Sequence, residues 1–299
     1  MIRIGVDFGG TKIEAAALDR NGQVLARVRA PNPGEYAASL DVVVALVSEV
    51  ERQAGASGSI GVGAPGSISP RTGMIRNANS VWLNGRPLGP DLEKRLGRPV
   101  RTANDANCFA LSEAVDGAAA GAGIVFGAIL GTGCGGGVAF GGRAQVGRNG
   151  IAGEWGHTPL PWPAGDELPA KRCWCGRDNC LELYISGTGL GRDLAKSGSS
   201  EAPAHEVVTA ARAGHPEATA ALDRYIHRLG RALAVIVDII DPDIIVLGGG
   251  MSNVEELYER VPAVTAERVF SDVFETPIVP ALHGDSSGVR GAAWLWPAS

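Results

Sequence analysis

A chain of 299 residues, 45% apolar and 20% charged, is longer than a single core usually grows, so two domains of ordinary size are expected. Its formal charge of −5, from 27 basic and 32 acidic residues, gives no basic footprint, and no nucleic-acid partner is expected. The N-terminus lacks the pattern of a signal peptide and no apolar run approaches the roughly 20 residues of a membrane span, so the expectation is a cytoplasmic protein with no membrane partner.

Ile2, Ile4 and Val6 alternate with Arg3 and Gly5, which predicts a strand leading into Asp7-Phe8-Gly9-Gly10-Thr11-Lys12 and returning over Ile13 to Leu18. A turn at Asp19-Arg20-Asn21-Gly22 leads to a third strand from Val24 to Val28. Glycines at the first turn leave backbone N–H groups uncovered for a phosphate, with Thr11 and Lys12 adding a hydroxyl and a charge. Gly-Gly also makes ordinary hairpin turns, so this turn alone does not decide the matter.

Asp41 is a candidate N-cap for a helix through Val42, Leu46, Val47 and Val50 that closes near Gly55. Ile60 to Val62 predicts a strand running into the turn Ala64-Pro65-Gly66-Ser67-Ile68. Asn77, Asn79 and Asn84 suit sugar hydroxyls and Asn-rich turns equally. Pro99 to Thr102 is extended and ends at Asn104-Asp105-Ala106-Asn107, where position alone favours Asp105 as the cap of the following helix.

Ile124 to Leu130 predicts a strand, followed by Gly131-Thr132-Gly133-Cys134-Gly135-Gly136-Gly137, a returning strand over Val138 to Phe140, a Gly141-Gly142 turn and a third strand. The order repeats the opening of the chain. Two such units imply a duplicated α/β architecture, with a glycine turn facing a nucleotide triphosphate from each side.

Gly153 to Glu182 carries His157, Cys173, Cys175 and Cys180, the nitrogen and thiolate donors of a closed, structural zinc site. Glu154 and Glu182 lie three and two residues from a ligand, so the metal would fix them too, as candidates for holding a polar substrate. Cys108 and Cys134 have no adjacent cation to lower a thiol pKa and read as small semi-buried residues. A helical run from Glu217 to Ile240 stops at Asp241-Pro242. Ile244 to Leu247 is then a strand into Gly248-Gly249-Gly250-Met251, with Ser252 or Asn253 capping the next helix. Gly288 to Trp296 predicts a terminal helix. The boundary is expected near Gly117 to Gly123, giving an N-terminal lobe of residues 1–118 joined by a C-terminal helix at about 287–299, and a C-terminal lobe of residues 119–286 with the zinc loop.

These residues resemble the ROK family: Asp7 to Lys12, Gly63 to Ile68, Asn104 to Asn107, Gly131 to Gly137, Glu154 to His157, the Cys cluster with Glu182, and Gly248 to Met251 follow one another in the family's order. Asn77 to Gly85 and His283 to Pro297 look like its fructokinases, which also accept mannose. One departure is Asn179, where the family has Gly before the third Cys; Asn tolerates the left-handed conformation, so the loop is expected to persist.

The resemblance implies a two-lobed α/β fold of the actin/hexokinase type (ribonuclease H-like), with ATP and sugar in the interdomain cleft. It implies transfer of phosphate from ATP to the 6-hydroxyl of fructose, the alternative being a kinase for glucose or N-acetylglucosamine. It makes Asp105 the general base and puts Gly66, Asn79, Asn104, Asp105, Glu154, His157 and Glu182 on the sugar. Gly9, Gly10, Thr11, Lys12, Thr132, Gly133, Cys134 and Gly135 would line the phosphates and Gly249 the adenine. Mg²⁺ would bridge the phosphates, through water to Asp7, beside a structural Zn²⁺, and a homodimer is common in the family. A sugar-responsive repressor needs a DNA-reading helix-turn-helix ahead of Asp7, which this sequence does not provide, and a purely binding zinc module needs neither Asp105 nor paired glycine turns.

Overall fold

The alternating N-terminal residues form β1 (Ile2–Phe8), which turns through Gly9–Thr11 into β2 (Lys12–Leu18) and on to β3 (Val24–Pro31). Both hairpins are antiparallel, with Asp7 opposite Glu14 across β1 and β2. The computed structural model describes residues 2–195 and 200–297.

Helix α1 (Tyr36–Ala54) follows, closed by Gly55 in the left-handed conformation at φ 67°. It begins earlier than the Asp41 cap predicts. Tyr36, Ser39 and Leu40 are buried and extend the apolar face toward the N-terminus, and the Glu35 carboxylate caps the helix by accepting from the Ala37 and Ala38 N–H groups. Asp41 lies in the second turn, exposed and paired with Arg95.

The chain continues through β4 (Gly58–Ala64), the small ribbon β5 (Ser67–Ile68) and β6 (Ile75–Arg76), α2 (Leu88–Leu96), β7 (Val100–Asn104) and α3 (Asp105–Asp116). The first sheet has the order β3-β2-β1-β4-β7, with β1, β4 and β7 parallel. Ile4, Val6, Phe8, Val43, Val47, Ile60 and Val62 form its core against α1.

The second half opens with β8 (Ile124–Leu130), β9 (Cys134–Phe140) and β10 (Arg143–Ala144). A region of loops leads to α4 (Glu182–Ile185), α5 (Gly187–Ala195), α6 (Ala204–Arg212) and the long α7 (Pro216–Ile240). Then come β11 (Ile244–Gly248), α8 (Glu255–Ala266), β12 (Ile278–Pro280) and α9 (Ser287–Trp294). Before α8 the expected Ser252 or Asn253 cap is replaced by a short 3-10 turn over Gly250–Asn253, and the cap position falls to Val254. The second sheet has the order β10-β9-β8-β11-β12. Counting the main strands of each sheet from its own first, both follow 3-2-1-4-5, the duplication that the repeated strand and glycine-turn pattern predicts.

Two units result, Met1–Gly121 with Gly137–Gly153 and Leu282–Ser299, and Ala122–Gly136 with Glu154–Ala281. In the first, α9 docks on backbone. A Cβ at Gly5 would stand 1.8 Å from the Val289 carbonyl oxygen, and one at Gly61 1.9 Å from that of Ala292. Gly291 in turn lies on α3, where a Cβ would meet the Cys108 oxygen at 1.7 Å. Trp294 donates its indole N–H to Asp116 at 3.1 Å, and Trp296 donates to the Ile60 carbonyl at 2.6 Å. No helix among the described residues is long and apolar enough to cross a membrane.

Candidate active site

In the first unit the chemistry gathers around the ends of β1 and β7. Asp7 closes β1 with the Asp105 and Glu14 carboxylates near it; burial first, then these two charges, push its carboxyl up to about 6, against the lowering effect of Lys12. Like charges this close raise the cost of ionising Asp7. A Cβ on Gly288, near the start of α9, would lie 3.4 Å from the Asp7 carboxyl. The turn beyond Asp7 leaves Gly10, Thr11 and Lys12 exposed. Gly9 is sterically required, since a Cβ there would come 2.7 Å from the Lys12 backbone oxygen, whereas one at Gly10 would meet only the movable Ser80 Oγ, at 2.9 Å.

At the end of β7 the N-cap is Asn104, whose side-chain oxygen accepts from Ala106 N–H at 2.8 Å. Asp105 is the first helical residue, exposed, and its Oδ1 shares that donor at 2.9 Å. The cap role assigned to Asp105 by position therefore passes to its neighbour. The other end of the Asn104 amide donates to the Gly66 carbonyl at 2.8 Å. Gly66 has φ 82°, the left-handed conformation that favours glycine, and a Cβ there would also meet the Arg76 oxygen at 2.6 Å. Asn79 is exposed and accepts from Ser80 N–H at 2.8 Å. Asn84, by contrast, spends its amide on both backbone groups of Ala78.

The second unit holds the His/Cys cluster. The ligand atoms of His157, Cys173, Cys175 and Cys180 all lie within 4.8 Å of one another. Cys175 and Cys180 Sγ are 3.6 Å apart, and Cys173 Sγ is 3.8 Å from His157 Nδ1. Tetrahedral zinc bonds of about 2.0–2.3 Å give edges of about 3.5–3.8 Å, so the four donors fit Zn²⁺ in number and type, and these two edges fit it in spacing. His157 turns Nδ1 to the thiols, leaving Nε2 for another partner. Burial and the neighbouring thiols push Cys180 up to about 12, a direction that a ligated cation reverses.

The loop around the cluster is anchored from below. Arg228 of α7 is 1% exposed, donates its Nε–H to Glu167 Oε1 at 2.8 Å and forms an ion pair with Asp193 Oδ1 at 3.1 Å. Asn179 adopts the left-handed conformation at φ 60°, as the departure from Gly requires. Its side-chain oxygen accepts from the Tyr184 hydroxyl, a bond that Gly could not make.

Glu182 opens α4, and its Oε2 accepts from Cys134 N–H at 3.0 Å. A Cβ at Gly133 would stand 2.7 Å from the same oxygen and push the Glu182 carboxylate aside. Glu154 is exposed at the start of the 3-10 turn Trp155–His157. Gly156 packs on β9, where a Cβ would meet the Cys134 oxygen at 1.9 Å, and Trp155 donates to the Gly135 carbonyl at 2.8 Å. Glu154, His157 and Glu182 are thus tied to the glycine turn as well as to the metal cluster. Cys134 and Cys108 are both buried, and burial pushes both thiols well up.

Beside the same turn is a cavity of about 810 Å³ lined by Thr132, Thr188, His205, Arg212, Gly250 and Asn253 among others, large enough for a nucleotide-sized ligand. Thr132 was legible in the sequence, and Gly249 adjoins Gly250. Gly249 itself has φ 78°, and a Cβ there would meet the Leu130 oxygen at 2.6 Å. His205 and Arg212 were not foreseen, because they sit on α6, which carries no glycine turn. Arg212 is held by a bidentate pair with Glu256 at 2.7 and 2.8 Å.

A model of the ROK family matches residues 3–299. The chain is 40% identical over 296 residues to the N-acetyl-D-glucosamine kinase of Pectobacterium atrosepticum, covering 97% of each chain. The corresponding enzyme of Vibrio cholerae is 39% identical, over 97% of this chain and 98% of the other. Among solved structures, the ROK hexokinase of Thermus thermophilus has a TM-score of 0.88 at 33% identity, covering 99% of this chain and 97% of that one. A ROK family glucokinase from Streptomyces griseus, in complex with glucose and AMPPNP, has a TM-score of 0.81 at 29% identity over 100% of both chains. The fold is therefore the two-lobed α/β fold expected.

The fructokinase assignment is overturned by these kinases of N-acetyl-D-glucosamine and glucose. In its two supporting segments Trp82 packs on Phe8 and Leu83 is buried, while His283 Nε2 lies 2.9 Å from the Asp116 carbonyl and Ser287 donates to Glu113 at 2.8 Å. Those contacts hold α9 and the Asn-rich turn in place and carry no information about a ketose.

Proposed function

The chain belongs to the ROK family and is an ATP-dependent sugar kinase, and we propose that its acceptor is the 6-hydroxyl of N-acetyl-D-glucosamine. The observation that carries the acceptor is the 40% identity, over nearly the whole of both chains, to a kinase of that sugar. Glucose, the sugar in the S. griseus complex, is the second reading.

In the proposed reaction the Asp105 carboxylate takes the proton from the sugar O6, the O6–Pγ bond forms, and the bond from Pγ to the bridging oxygen breaks to release ADP. Asp105 suits the role because it is exposed at the start of α3, where the helix N-terminus favours the carboxylate that accepts the proton. Asn104, Gly66 and Asn79 take sugar hydroxyls in the first unit; Glu154, Glu182 and His157 Nε2 do so in the second. The backbone of Gly9, Gly10, Thr132, Gly133, Cys134 and Gly135, with Thr11 and Lys12, holds the phosphates, and Gly249 lies against the adenine. Mg²⁺, when bound, neutralises phosphate charge, and Asp7 is the residue to hold it, directly or through water. Zn²⁺ fixes the loop through His157, Cys173, Cys175 and Cys180.

The test is product and base together. With ATP and N-acetyl-D-glucosamine, ³¹P NMR should detect the sugar 6-phosphate, and Asp105→Asn should lower kcat by about 10²-fold or more while calorimetry still registers sugar binding. Near-normal turnover by Asp105→Asn would remove Asp105 as the base.

A further inference from the structure

We propose that Trp174 is a positioning residue for Glu182 and so sets the affinity for the acceptor sugar, a role that rests on the placing of Glu182 at the sugar. Trp174 stands between Cys173 and Cys175, whose side chains both turn into the metal cluster. Its own side chain projects out of the cluster and is 62% exposed. From there the indole Nε1–H donates to Glu182 Oε1 at 2.6 Å. The ring also stands edge-on to the His157 imidazole, with centroids 5.1 Å apart and planes at 83°.

The Glu182 carboxylate is thereby gripped at both oxygens. Oε2 takes the Cys134 N–H of the glycine turn and Oε1 takes the indole N–H of the metal loop. Each oxygen keeps a further lone pair for a sugar hydroxyl. A glutamate has three rotatable bonds and loses up to about 2 kcal/mol of side-chain freedom when fixed; with both oxygens already held, that loss is taken before the sugar arrives. Trp174 also touches two of the three groups of this unit that the metal loop presents to the sugar, Glu182 and His157. A large indole left mostly in water beside two such groups would be ready to pack against the apolar face of a pyranose.

Trp174→Phe keeps a ring against His157 and deletes only the N–H. In the zinc-loaded full chain it should raise the KM for N-acetyl-D-glucosamine or glucose about tenfold, the worth of one hydrogen bond to a charged group. The kcat, the KM for ATP and the zinc content should stay as in the parent. In a Glu182→Gln background the same substitution should add little, because the two act as one unit. Sugar-induced change in tryptophan fluorescence should be smaller in Trp174→Phe than in the parent. An unchanged sugar KM, or a full tenfold effect persisting in Glu182→Gln, overturns the proposal. Loss of zinc with a parallel rise in both KM values also overturns it, since the indole would then be only a structural part of the loop. If Glu182→Gln alone leaves sugar affinity intact, the sugar-site assignment of Glu182 fails first, and the proposal with it.

Discussion

Asp7 is the residue whose surroundings leave the clearest signature. Its carboxyl rises from an ordinary 3.8 to about 6, through burial and the nearby Asp105 and Glu14 charges. The folded chain therefore holds a proton that the unfolded chain has released, and stability falls as pH rises from about 4 to 6, with the full penalty above that window. Asp7→Asn should be more stable than the parent by on the order of 2 kcal/mol at pH 7.5, an advantage that disappears near pH 3.5. Thermal unfolding of both proteins at the two pH values checks this, and an equal difference at both would show that the charge is not its origin. At this scale the sequence was partly legible. Asn in place of Gly before the third Cys is compatible with a left-handed residue, and Asn179 adopts that conformation. The exchange of cap between Asp105 and Asn104 was not legible, because adjacent Asn and Asp compete for the same donor and only the backbone geometry ranks them.

Among the elements, the metal loop and α9 place the largest demands on individual side chains. Cys175→Ser removes one of four donors from a set whose number and type suit tetrahedral zinc. It should lower bound zinc from about one per chain and weaken sugar affinity together, measured by metal analysis and calorimetry on the same preparation. Full sugar affinity in zinc-free protein would separate the loop from the sugar. Gly61→Ala places a methyl 1.9 Å from the Ala292 carbonyl oxygen, which a helix backbone cannot easily move aside. A loss of about 3 kcal/mol in denaturant unfolding is expected, and a loss below about 0.5 kcal/mol would mean α9 is loosely held. β1 was readable from alternation and β8 and β11 from continuous apolar runs, with glycines marking the turns. The start of α1 was not, since Tyr36, Ser39 and Leu40 are buried by tertiary contact and Glu35 is a less usual cap than Asp41. The α6 side of the cavity was hidden for a similar reason: His205 and Arg212 look like surface residues of an amphipathic helix until the fold sets them beside Thr132.

Over the whole molecule, the repeated order of strand, glycine turn and strand foretold two sheets of one topology, and both sheets run 3-2-1-4-5. Sugar identity leaves a fainter trace. In the segments that suggested a ketose, Trp82 packs on Phe8 and Ser287 bonds Glu113, so those side chains answer to packing rather than to substrate. Discrimination between two hexoses rests on a few hydrogen bonds, each worth about 1–3 kcal/mol, and no single motif records them. The central claim is therefore best tested by kcat/KM with saturating ATP and Mg²⁺ for N-acetyl-D-glucosamine, glucose, mannose and fructose in one coupled assay. The account predicts the highest value for N-acetyl-D-glucosamine, with fructose at least about tenfold lower, the equivalent of one lost hydrogen bond. A preference for fructose, or turnover of none of the four, would contradict it.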